Sequence, residues 1–182
     1  MDHIKTPKQL NKMILARQSI KRALGLLPLI LNQNNDDAKS TIYGALCIYY
    51  ARPFTESNKI GSLPKLFVSK EFHEIHCKLI KFRHNVVAHS DGDFEINDEI
   101  VNSAHIISDG ENLIIEELYP YPDKNMINSI NELLEYMDEK LSSLIMNCLN
   151  TNPVFQKNIP SGNYVLTLNK NSTWLEKKET EP

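Results

Sequence analysis

DKNMINSINELLEYMDEKLSSLIMNCL, residues 123–149, decides the fold class. Ile127, Ile130, Leu134, Met137, Leu141, Leu144 and Ile145 recur at steps of three and four, which lays them along one face of a helix. Asp123 stands where an N-cap belongs, because its carboxylate can accept from the free N–H groups of the first turn. The segment contains no Gly or Pro, and the spacing predicts a helix over 124–149. A helix with one apolar stripe and polar flanks must cover that stripe with other elements.

The covering elements lie upstream. Leu10, Met13, Ile14, Ile20, Leu24 and Leu27 have helical spacing within 7–27, with Thr6-Pro7 as the start and Pro28 as the expected kink or end. NQNNDD, residues 32–37, reads as a loop whose last Asp caps a second helix over 37–51, with Ile42, Ala45, Leu46 and Tyr49 as its stripe and Pro53 as its stop. Residues 54–68 read as a loop. Ser69 is expected to cap a third helix over 70–88, with Glu71 and Glu74 near its positive end and Phe72, Ile75, Leu79, Phe82 and Val86 facing inward. Between the third and fourth helices, two β-rich runs, Ala104–Ser108 and Asn112–Glu116, flank Asp109-Gly110, a hairpin signal. After Pro153 the chain offers a strand at Tyr164–Leu168 and a polar end. The sum is a mainly α chain: a four-helix up-down bundle, an inserted β-hairpin near 104–118, and a loosely attached C-terminal tail. The helical domain is expected to span 1–152 and the partly disordered extension 153–182.

A chain of 182 residues is about one domain at roughly 150 residues each. At that length it buries roughly two-thirds of its unfolded surface and needs no metal or disulfide to fold. The apolar run Leu26–Leu31 is broken by Pro28 and falls far short of the roughly 18 residues of a membrane span. No apolar region adjoins MDHIKTPKQL, so no secretory leader and no membrane partner are expected. Cys47, Cys77 and Cys148 form no CxxC pair and read as small buried residues of a reducing, cytoplasmic compartment.

The net charge of −3 hides a segregation. Residues 1–90 carry 14 Lys and Arg against 6 Asp and Glu, whereas residues 91–140 carry 2 against 14. A protein that coats duplex nucleic acid along its length is basic overall, and this one is not. A local basic face on the first half can still steer a polyanion. Lys5, Lys8, Lys12, Arg17, Lys21 and Arg22 supply such a face, and equally suit the solvated side of a helix.

Four of the six histidines fall in HEIHCKLIKFRHNVVAHSD, residues 73–91. His73 and His76 are i, i+3 and can reach one ion, but HEIH is one residue short of the HExxH zincin spacing, and His84 lies more than two turns away. Arg83 and His89 suggest RNA cleavage instead. A neutral His can take the proton of a ribose 2′-hydroxyl and a protonated one can return it to the leaving oxygen. Arg can hold a phosphate with two hydrogen bonds as charge builds on it. In an unbroken helix the two would stand about 240° apart at 3.6 residues per turn. They converge only where the helix ends near Ala88, with Ser90-Asp91-Gly92 as the stop, or where two chains share the site. A purely structural role, with His89 at the helix end or paired to Asp91 and Arg83 bridged to an acid, fits the same residues.

Arg83-His84-Asn85-Val86-Val87-Ala88-His89 resembles the signature of the HEPN superfamily, an Arg, four to six residues, then a His, with a polar residue often directly after the Arg. The wider string RHNVVAHSD looks like the form in bacterial HEPN-like proteins of abortive-infection and toxin type, and Tyr50-Ala51-Arg52-Pro53-Phe54 is similar to a segment of uncharacterised bacterial members. The resemblance covers residues 7–149, with the hairpin and tail outside the usual core. It implies an antiparallel four-helix bundle that dimerises through its motif helices, and a metal-independent, cofactor-free endoribonuclease of toxin–antitoxin or phage-defence type. Arg83 would bind and polarise the scissile phosphate, His89 would be general acid or base, and His84 would orient one of them. Asn85, Asp91 and Arg52 would add substrate contacts. The implied partners are RNA, a second copy of the chain, and a cognate antitoxin or regulator. Some HEPN domains do no catalysis, and the alternative is a helical dimerisation or interaction module in which Arg83 and His89 are structural.

Overall fold

The computed structural model describes residues 4, 6–56, 61–84, 94–96, 99–101, 104–108, 110, 113–117, 121–156, 164–166 and 175–177. The chain is mainly α. Four helices carry the core: α1 (Pro7–Leu31), α2 (Asp36–Ala51), α3 (His73–Phe82) and α4 (Lys124–Thr151), followed by the short α5 (Pro153–Gln156).

α1 starts as its sequence dictates, with the Thr6 hydroxyl accepting from Gln9 N–H at 3.2 Å and Pro7 in the first turn. It does not stop at Pro28. The missing proline N–H removes one helical bond, but the next turn buries Ile30, and Asn32 N–H closes onto the Pro28 carbonyl at 3.1 Å. Burial of an isoleucine side chain, roughly 1.5–3 kcal/mol, is enough to carry the helix on to Leu31.

α2 departs from the sequence reading in its cap and its face. Asn35, not Asp37, caps it, its side chain accepting from Ala38 N–H at 2.8 Å. Asp36 and Asp37 fall in the first turn beside the positive helix end. The fully buried residues are Tyr43, Leu46, Cys47, Tyr50 and Ala51, whereas Ile42, Ala45 and Tyr49 are half-buried. Two tyrosine rings at i, i+7 outweigh the smaller aliphatics and turn the helix toward them.

α3 is shorter at its start than expected. Ser69 makes no side-chain cap; Lys70–Phe72 form a 3-10 turn, and the α-helix begins at His73. Arg83 and His84 continue it in a wider π turn. The expected extension to residue 88 and the stop at 90–92 lie outside the described residues. α4 matches its reading, with Asp123 accepting from Met126 N–H at 2.7 Å and every stripe residue buried except half-buried Leu144.

Side-chain contacts fix the helix directions. Arg22 lies over the Tyr49 ring at 5.6 Å, across the short 32–35 connection, so α1 and α2 are antiparallel. Arg17 pairs with Asp138 while Ile4 meets Cys148, so α1 and α4 are antiparallel. The Tyr50 ring touches His76 and the Tyr43 ring touches Phe82, at 5.8 and 4.6 Å, so α2 and α3 are antiparallel as well. Phe72 stacks on Tyr136 at 5.1 Å, seating the start of α3 on the middle of α4. The 61–72 connection is pinned by Lys140, whose ammonium donates to the Phe67 carbonyl at 2.6 Å and sits over the Phe67 ring.

Three antiparallel strand pairs complete the described backbone. β1 (Phe94–Ile96) pairs with β2 (Glu99–Val101), β3 (Ala104–Ser108) with β4 (Leu113–Glu117), and β5 (Tyr164–Leu166) with β6 (Leu175–Lys177). In the second pair Ile106 stands opposite Ile115, and the positive φ of Gly110 lies in its turn. Of the cysteines, Cys47 and Cys148 are buried and Cys77 is exposed, which corrects the expectation that all three are buried. Among the described residues, no helix is long and apolar enough to cross a membrane.

Candidate functional site

The aromatic register of α2 and α3 locates the motif. Phe82 packs on Tyr43, so Arg83, the next residue, emerges beside the N-terminal half of α2. The same end of the molecule carries the start of α4 and a small polar knot, in which Lys39 pairs with Asp36 at 2.9 Å and lies over the Tyr121 ring at 4.6 Å. Arg83 is half-buried, and its guanidinium makes no hydrogen bond or ion pair with another described residue. The bridge to an acid that a structural role requires is therefore absent among the described residues. Arg83 N–H bonds to the Leu79 and Ile80 carbonyls, which fixes the residue's backbone. His84, next in the π turn, is exposed. Asn85, His89 and Asp91 lie outside the described residues.

Arg52 is not brought to Arg83. It follows the last residue of α2, where Phe54 packs on His76 near the start of α3 at 4.7 Å. Tyr43 and Arg52 are separated by about 13 Å of helix at roughly 1.5 Å per residue. Arg52 instead lines a cleft against α1 with Lys12 and Arg22. Sequence reasoning grouped Lys12, Arg17 and Arg22 on one basic face; the fold keeps Lys12 and Arg22 on one cleft and turns Arg17 to α4. Arg17 is bound to Asp138 at 2.7 Å, Lys12 donates to the Ser62 carbonyl, and Arg22 rests on Tyr49. No local pattern links residue 52 to residues 12 and 22; only the antiparallel packing of α1 on α2 does.

His73 and His76 are not a ligand pair. A ring nitrogen of His73 meets the Val68 carbonyl at 3.1 Å. His76 is buried between Tyr50 and Phe54, with Nδ1 at 2.6 Å from the Tyr50 hydroxyl. Burial raises the Tyr50 pKa and keeps the phenol protonated, so the hydroxyl donates and Nδ1 accepts. Burial is also the main cause that lowers the His76 pKa, with smaller contributions from His73 and Lys65. The pair is a neutral hydrogen bond inside an aromatic cluster. Among the described residues, no three His, Cys, Asp or Glu side chains converge to hold a metal.

Comparison with protein families, with curated proteins and with solved structures finds no match to this chain. The functional reading rests on the residues themselves.

Proposed function

We propose that the protein is a HEPN-like, metal-independent endoribonuclease of toxin or phage-defence type, acting in the cytoplasm as a homodimer. In this reading the four helices form the HEPN bundle, the β3–β4 pair is an inserted hairpin, and residues 153–182 are an extension. What supports it is Arg83: a half-buried residue at the end of α3, next to Phe82 that packs on Tyr43 of α2, with no carboxylate partner among the described residues. A guanidinium with no such partner among the described residues is open to a substrate phosphate, which it can hold with two hydrogen bonds.

The chemistry follows from the motif. One imidazole takes the proton of the ribose 2′-hydroxyl, the 2′-oxygen bonds to the adjacent phosphorus, and the bond to the 5′-oxygen breaks. That oxygen leaves with a proton from an acid, and a cyclic 2′,3′-phosphate remains. Arg83 stabilises the charge that gathers on the phosphoryl oxygens. His89 is the acid or base, and His84 orients it. Asn85 and Asp91 add contacts to the strand, and a cognate antitoxin or regulator restrains the enzyme. Arg83→Ala and His89→Ala proteins are expected to fold, melt within a few degrees of the parent, and lose RNA cleavage by roughly 10²-fold or more, the scale on which one acid–base or charge-stabilising group acts. Cleavage at the parental rate by either variant refutes this mechanism. Loss of the dimer or of the fold, with no nuclease in the parent, assigns the two residues to an interaction module instead.

A further inference from the structure

Between α1 and the end of α2 lies a cleft of about 370 Å³, within the usual size range of small-ligand sites. Among the described residues its walls carry Lys12, Arg22 and Arg52, and no Asp or Glu. Arg22 and Arg52 are exposed, and neither has a carboxylate partner among the described residues. Arg22 lies over Tyr49, which precedes Arg52 by three residues on α2 and so shares its face. The two guanidiniums are thereby held on one side of the helix end. Ser19, 6% exposed, also lines the cleft and offers its hydroxyl as a further donor. Like charges gathered with no counter-charge among the described residues are unfavourable. One anion with several acceptor oxygens relieves that cost. The remaining wall is apolar, built from Leu15, Ala16 and Pro53.

We infer that this cleft binds a phosphate monoester of nucleotide size, its phosphate held by Arg22, Arg52 and the Ser19 hydroxyl and its organic part laid on Leu15 and Pro53. Phosphate suits the forked donors of two arginines better than a carboxylate does, because it offers more oxygens than one fork can fill. The site stands apart from Arg83, at the opposite end of the α2–α3 pair, so it does not depend on the nuclease reading.

The test is calorimetric titration of the full-length protein with AMP, CMP, GMP and UMP, and separately with inorganic phosphate. At least one nucleoside monophosphate is expected to bind with a submillimolar Kd, and Arg22→Ala and Arg52→Ala each to weaken it tenfold or more. Both side chains are exposed, so the variants should keep the parental melting curve. Arg83→Ala is expected to leave this binding unchanged, which separates the outcome from that of the cleavage assay. Failure of all four nucleotides to bind below about 10 mM, or undiminished binding in both arginine variants, overturns the proposal. Equal affinity for inorganic phosphate overturns the nucleotide assignment, and binding of single-stranded RNA alone makes the cleft part of an RNA surface instead.

Discussion

Tyr43 and Tyr50 are both fully buried on the same face of α2, two turns apart, yet removing their hydroxyls should have opposite effects. The Tyr50 hydroxyl donates to His76 Nδ1 at 2.6 Å in a dry aromatic cluster. Tyr50→Phe keeps the ring, and with it the contact to Phe54 at 5.5 Å, but leaves a buried imidazole acceptor unpaired. An orphaned buried acceptor costs about 1–3 kcal/mol. At roughly 2–4 °C per kcal/mol for a chain of this size, Tm should fall by about 2–12 °C. The Tyr43 hydroxyl has no nitrogen or oxygen partner; its polar neighbour is the Cys47 thiol, a weak one. Tyr43→Phe keeps the ring contact to Phe82 and removes a poorly paired buried hydroxyl, so it should be neutral or stabilising by up to about 1 kcal/mol. Urea unfolding followed by circular dichroism measures both, and unchanged m-values would show that the folded and unfolded states remain comparable. If Tyr43→Phe costs as much as Tyr50→Phe, the hydrogen bond to His76 is not what distinguishes them, and the reasoning fails.

Three further perturbations follow from the same packing. His76 has a lowered folded pKa, so the unfolded chain binds its proton first; stability should be full above about pH 6.5, fall as pH drops below that, and level off below the folded pKa. His76→Gln, whose amide oxygen can still accept from Tyr50, should flatten that slope in melting curves between pH 7 and pH 5. Leu134 is fully buried at the centre of α4, and Leu134→Ala should cost about 2–5 kcal/mol in urea unfolding. Arg17 and Asp138 are only partly buried, and a double-mutant cycle on them should return about 0.2–1 kcal/mol, shrinking with added salt.

The legible parts of this fold were the local ones. The stripe of α4 and the caps at Thr6 and Asp123 depend on residues within one turn of each other, and the structure keeps them. Pro28 does not end α1, because its cost is local while the burial of Ile30 that offsets it is tertiary. The face of α2 turned on where Tyr43 and Tyr50 find ring partners, Phe82 and His76, which lie far along the chain. For the same reason His76 read as a metal ligand candidate and is a buried acceptor. Arg83 was legible as a motif residue on the third helix, and its lack of a described carboxylate partner emerged only from the packing. The company of Arg52 was not legible, because spacing within α2 says nothing of which α1 residues face it.

The most direct test of the central claim is incubation of RNA with the purified protein in excess EDTA, with the ends of the products identified by mass spectrometry. The account predicts cleavage that persists without metal, leaves 2′,3′-cyclic phosphate and 5′-hydroxyl ends, and stops where the attacking ribose is 2′-deoxy. Cleavage that needs a divalent metal, products with 3′-hydroxyl ends, or no cleavage at any protein concentration would contradict it.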